Sequence, residues 1–91
     1  MSRIDVKHLQ DIPNVGKATE KSFNILGINE PIQLVGRDPY KMYSDFCNIT
    51  QKKHDPCVID VFISAVRYME GGPPKKRWEF TEERKNRLGA N

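Results

Sequence analysis

Apolar residues recur along this chain at the three-and-four spacing of helices, and the breaks between the runs fall at proline, glycine and capping residues. Ile4, Val6 and Leu9 predict a short first helix over residues 4–10, with Ser2 or Asp5 as cap. Val15, Ala18, Ser22, Phe23 and Leu26 lie on one side of a second helix that opens at Lys17 and ends at Gly27. Residues 31–35 read as one helical turn or a short helix, ended by Gly36. Asp38-Pro39 is a strong helix start, and Met42, Tyr43, Phe46, Cys47 and Ile49 carry that helix to about residue 49. Asp55-Pro56 repeats the signal for the longest helix, to about residue 70. Val58, Ile59, Val61, Phe62, Ile63, Ala65, Val66 and Met69 nearly encircle it, leaving Asp60, Ser64 and Arg67 as a narrow polar strip at the surface. A helix apolar on most sides is buried on most sides, so this one is the expected central post, completed either within one chain or by a homodimer.

Gly71-Gly72-Pro73-Pro74 ends the post and turns the chain away. In the tail that follows, Trp78 and Phe80 read as anchors onto the body, with base stacking as the other use of aromatics beside cations. Thr81 is placed to cap a last helix over residues 82–88. The expectation is all-α: a compact five- to six-helix domain spanning residues 1–91, with its core at about 4–70 and a basic, aromatic-anchored tail at 71–91.

One turn stands apart from this pattern. Ile12-Pro13-Asn14-Val15-Gly16-Lys17 is polar punctuation that nevertheless carries two apolar residues, which a turn needs only if they fasten it to a core. Pro13 ends any preceding helix, and Asn14 and Gly16 are the types that best tolerate the left-handed backbone of a reversal. The amides of Val15, Gly16 and Lys17 then sit at a fresh helix start, where free N–H groups and the helix dipole favour an anion. Lys17 and Lys21, one helical turn apart, can flank the same phosphate. This pattern resembles the helix-hairpin-helix motif, which holds a nucleic-acid phosphate in that way. Asn14 stands where the motif usually has glycine, and Glu20 where it usually has alanine. The resemblance also implies a SAM-like pairing of two hairpins, the second here a degenerate one at residues 48–56 that lacks glycine but carries Lys52 and Lys53.

Composition adds limits. The 91 residues suffice for one modest core, and 37% hydrophobic with 30% charged residues suits a globular protein without a membrane span or an N-terminal leader; a cytoplasmic location is expected. The net charge of +3 is uneven: +1 over residues 1–27, −1 over 28–70 and +3 over 71–91, so the surplus sits in the tail with Lys75, Lys76 and Arg77. That run reads either as an electrostatic arm for a polyanion or as a solvated end.

Beyond the hairpin, the phrases DIPNVGKA, LGI, VGRDPYKMY, HDPCVIDVFISAVRYMEGGPP and WEFTEERK resemble a family of small bacterial helix-hairpin-helix proteins catalogued as pathogenicity-locus or mitomycin-resistance proteins. The resemblance implies an all-helical domain with a helix-hairpin-helix near the N-terminus. It implies no established activity, because those names reflect genomic setting or phenotype.

Other chemistry finds little support. Cys47, His54 and Cys57 are spaced as C-x6-H-x2-C, without the paired clips of a small zinc module, and only His8 is available as a further nitrogen or sulfur ligand. Two buried thiols on facing helices are expected instead, free rather than bridged, although a start-of-helix position for Cys57 favours a reactive thiolate. His54 is expected exposed or hydrogen-bonded in its loop. The carboxylates are explained as caps, so no catalytic pair remains, and no metal, cofactor or small-molecule substrate is expected. The function expected is a non-enzymatic, sequence-independent DNA-binding module whose site comprises Asn14, Val15, Gly16, Lys17, Lys21, Lys75, Lys76 and Arg77. The competing expectation is a protein-interaction or dimerisation domain that keeps the fold without binding nucleic acid.

Overall fold

Helix starts and stops are placed by the punctuation residues, and the buried faces decide how the helices meet. The computed structural model describes residues 5–72 and 77–88, with side chains beyond 78 and short of 87 in the second segment. Among the described residues there are four α-helices and no strand: α1 (Lys17–Ile25), α2 (Pro39–Thr50), α3 (Cys57–Met69) and α4 (Thr81–Leu88). Three short 3-10 turns accompany them, at Leu9–Asp11, Pro31–Leu34 and Arg77–Phe80.

The expected first helix over residues 4–10 is not formed; the described part contains only the turn Leu9–Asp11. A stretch this short cannot sustain an isolated helix, and of Val6 and Leu9, its described apolar residues, only Leu9 reaches full burial. α1 ends as the sequence indicates. Gly27 takes φ 83°, Ile28 N–H donates to Phe23 C=O at 2.8 Å and Gly27 N–H to Asn24 C=O at 3.0 Å, the paired bonds that close a helix while carrying Ile28 inward. Ile28 is fully buried.

α2 starts on Asp38, whose Oδ1 accepts from the amides of Tyr40 at 2.9 Å and Lys41 at 3.4 Å, with Pro39 in the first turn. α3 starts one residue later than Asp55-Pro56 indicates, at Cys57, and Asp55 Oδ1 accepts from Cys57 N–H at 2.8 Å. The post lies at the centre as expected. Phe62, Ala65, Val66 and Met69 enter a core with Leu9, Ile12, Val15, Phe23, Ile28, Leu34, Met42 and Phe46, where the Phe23 and Phe62 rings lie 5.4 Å apart. Ile59 and Ile63 turn instead to a second cluster with Phe80, against which Tyr40 and Tyr43 pack. Phe80 therefore anchors the tail to the body, and the side chain of Trp78 lies outside the described residues.

The polar strip of α3 is the largest departure from expectation. Asp60 and Ser64 are buried, at 1% and 3% exposure, and only Arg67 of the three faces solvent. α4 covers the strip: Arg84 Nε donates to Asp60 Oδ1 at 2.7 Å, Thr81 Oγ1 donates to Asp60 Oδ2 at 2.8 Å, and Arg67 pairs with Glu83 at 2.6 Å. Thr81 thus spends its hydroxyl on α3 and lies inside α4 instead of preceding it as a cap. A buried carboxylate is tolerable only with such partners, and they make an otherwise polar helix dock.

Candidate nucleic-acid interface

The turn at residues 12–16 is built from its two apolar residues outward. Ile12 and Val15 are buried at 1% and 6% exposure, fastening both ends of the turn to the main core. Val15 N–H donates to Ile12 C=O at 3.1 Å, so this amide closes the turn, and the outward amides narrow to those that follow it. Asn14 adopts the left-handed conformation at φ 71°. Its Nδ2 donates to Ser64 Oγ of α3 at 2.8 Å, a bond between residues 50 apart in sequence.

Gly16 does not use the left-handed freedom expected of it. Its φ is −102° and ψ −168°, extended backbone open to any residue, and a Cβ built there meets nothing within 4 Å. Gly16 is the N-cap of α1 and, having no side chain, supplies no capping bond to that helix start. The Gly16 carbonyl accepts the first helical bond, from Glu20 N–H at 3.0 Å, which leaves the first-turn amides directed outward at the positive end of the helix.

Lys17 and Lys21 are both exposed on α1, and neither belongs to an ion pair among the described residues. Glu20, the nearby carboxylate, accepts from Gln10 Nε2 at 2.8 Å and so bridges α1 to the preceding 3-10 turn. Lys75 and Lys76 lie outside the described residues, as does the side chain of Arg77. Sequence reasoning missed Ser64 as a member of this region. A serine in the middle of an apolar helix was the available signal, since a buried hydroxyl needs a partner.

The residues weighed for other chemistry do not converge. Cys57 is exposed and Cys47 half-buried, in place of two buried thiols, and both are free. Hydrogen bonding to the Asp55 carboxylate, with burial second, pushes the Cys57 thiol above its ordinary pKa, which corrects the expected reactive thiolate. His54 stacks on Phe46 with centroids 4.1 Å apart, and its Nε2 lies 2.7 Å from Thr50 Oγ1. Tyr43 Oη donates to the His54 carbonyl and ties the loop to α2, and burial raises the Tyr43 pKa. No group of three or more potential metal ligands comes together among the described residues, and no helix among them is long and apolar enough to cross a membrane.

The described residues form a small all-helical protein whose first α-helix starts on a glycine and is flanked by Lys17 and Lys21. It belongs to the family described as pathogenicity locus, whose family model matches residues 2–86. The chain is also similar to a mitomycin resistance protein, McrB, of Streptomyces lavendulae, at 36% identity over 90 residues, which cover 99% of this chain and 86% of the relative. No solved structure matches it.

Proposed function

We propose that this protein is a non-enzymatic, sequence-independent DNA-binding module of helix-hairpin-helix type. Gly16 is the observation that carries the reading. Its backbone does not need glycine and the space around it is open, yet it occupies a position where serine or aspartate would cap the helix better. A glycine with no conformational task keeps the amides clear for an approaching anion. The Gly16 and Lys17 amides contact a backbone phosphate, Lys17 and Lys21 add charge on either side, and the Lys75, Lys76 and Arg77 run supplies further cations.

In this reading the 3-10 turn Leu9–Asp11 is the reduced first limb of the hairpin, and α2, the loop at residues 51–56 and α3 form the degenerate second unit of a SAM-like pair. Lys52 and Lys53 are exposed in that loop. Phosphate contacts carry no base information, so the preference is for shape: ends, junctions or single strands. The competing use as a protein-interaction or dimerisation domain draws on a shallow groove of about 170 Å³ between α1 and α3, where Val58 and Val61 remain half-exposed beside Ala18 and Ser22.

Fluorescence anisotropy against unrelated duplex, single-stranded and junction DNAs over a salt series tests the proposal. Binding that ignores base sequence, falls with salt and weakens in Lys17→Glu is expected. Loss only through Lys75→Glu moves the site to the tail. Absence of binding to every DNA at low salt sinks the nucleic-acid reading and turns attention to the groove.

A further inference from the structure

The left-handed residue of the turn is set by the turn, which Val15 N–H closes onto Ile12 C=O with Pro13 and Asn14 at its centre, and is also bonded to a distant helix. An L-residue at φ 71° is disfavoured even when it is asparagine, and the conformation persists only where surroundings fix it. Beside the turn's own bond, one tie from Asn14 to the rest of the fold is Ser64, from the middle of α3. Ser64 is 3% exposed, and a serine inside a helix is a poorer helix former than alanine. Its hydroxyl accepts from Asn14 Nδ2 at 2.8 Å, across the interface between the turn and the post. One helical turn earlier on the same face, Asp60 is gripped by Arg84 and Thr81, so the strip that presents Ser64 is fixed by α4 from its other end.

We propose that Ser64 is the positioning residue of the hairpin. By holding Asn14 it sets the direction in which the Gly16 and Lys17 amides leave the turn, and through them the grip on a DNA phosphate. The assignment rests on the DNA-binding reading for its use, and on the turn's geometry for its existence. Ile12 and Val15 fasten the turn to the core by non-directional contacts, which fix depth but not rotation. The Asn14–Ser64 bond is directional and supplies the rotation.

The test combines amide hydrogen exchange with DNA binding in Ser64→Ala, Asn14→Gly and the double variant. Alanine suits the interior of α3 and glycine suits φ 71°, so each substitution removes the bond while leaving a backbone that folds. The Val15 amide, bonded to Ile12 C=O, reports the closure of the turn. Its exchange is expected to rise roughly three- to ten-fold in each single variant and no further in the double, with amides of α2 unchanged. Affinity for short duplex DNA is expected to fall by a similar factor in each, again without adding. A role confined to general stability would speed exchange in α2 as well, and effects that add in the double variant would show that the two residues act separately; either result overturns the assignment, as does an unchanged Val15 amide in Ser64→Ala. If the wild type binds no DNA while Val15 responds as described, the DNA reading fails and the positioning of the turn by Ser64 stands.

Discussion

The strip on α3 and the start of α1 treat polar groups in opposite ways. On the strip, a carboxylate at 1% exposure is saturated: Arg84 and Thr81 take both oxygens of Asp60. At the start of α1 the N-cap is glycine, which has no side chain to cap with and stands where a capping residue belongs. The same chain caps α2 with Asp38 and gives the first amide of α3 to Asp55. Polar groups that hold the body together are closed inward by neighbours, and those at one helix start are left facing out. The difference separates what maintains the fold from what is available to a partner.

Breaking the closed side should have the largest effect. Asp60→Ala strands the buried Arg84 guanidinium and releases Thr81, and is expected to cost about 3–5 kcal/mol in urea or thermal unfolding, with loss of α4 docking. If stability barely changes, the strip is not what holds α4.

Closing the open side should move binding and spare the fold. Gly16→Asp places a capping carboxylate at the start of α1, where a Cβ meets nothing. Stability is expected to hold or to rise by a few tenths of a kcal/mol, since glycine is already a tolerable cap. DNA affinity in the anisotropy assay is expected to drop at least about ten-fold, because the new charge occupies the position of the phosphate. Unchanged affinity would remove Gly16 from the site.

Opening a capped start gives the converse. Asp38→Ala at α2 is expected to cost about 1 kcal/mol of stability and to leave DNA affinity unaltered, as measured by unfolding and anisotropy on the same sample. The smallest effect concerns Cys57. With Asp55 holding its thiol above the usual range, alkylation at neutral pH is expected to be slower than for an unperturbed exposed cysteine, and Asp55→Asn should speed it. Faster alkylation in the wild type would show that the helix start, and not the carboxylate, governs this thiol.

Much of the candidate site was legible because its signals are local. Ile12 and Val15 are apolar where a turn is polar, Asn14 tolerates φ 71°, and Lys17 and Lys21 are one turn apart; all three properties follow from residue type and spacing. The role of Ser64 was not legible, since its partner lies 50 residues away and a serine on a helix looks the same whether it meets solvent or another side chain. The misreading of Asp60 has the same origin. Its neighbours Ile59 and Val61 do not disclose that α4 will cover it, and charged residues are exposed far more often than buried.

By itself the sequence determined where α1 ends and, to within a residue, where α2 and α3 begin. Asp38-Pro39, Asp55-Pro56 and Gly27 act within a few residues of themselves, through backbone geometry and capping bonds that require no tertiary partner. It also determined that α3 would be the post, because apolar side chains around most of a helix leave no face for water. Only the tertiary structure decided which polar groups of that post would be buried, that the first limb of the turn would shrink to Leu9–Asp11, and that Gly16 would sit in ordinary extended backbone with open space around it. Those outcomes depend on which surface arrives from a distant part of the chain, and side-chain spacing along one helix carries no record of that arrival.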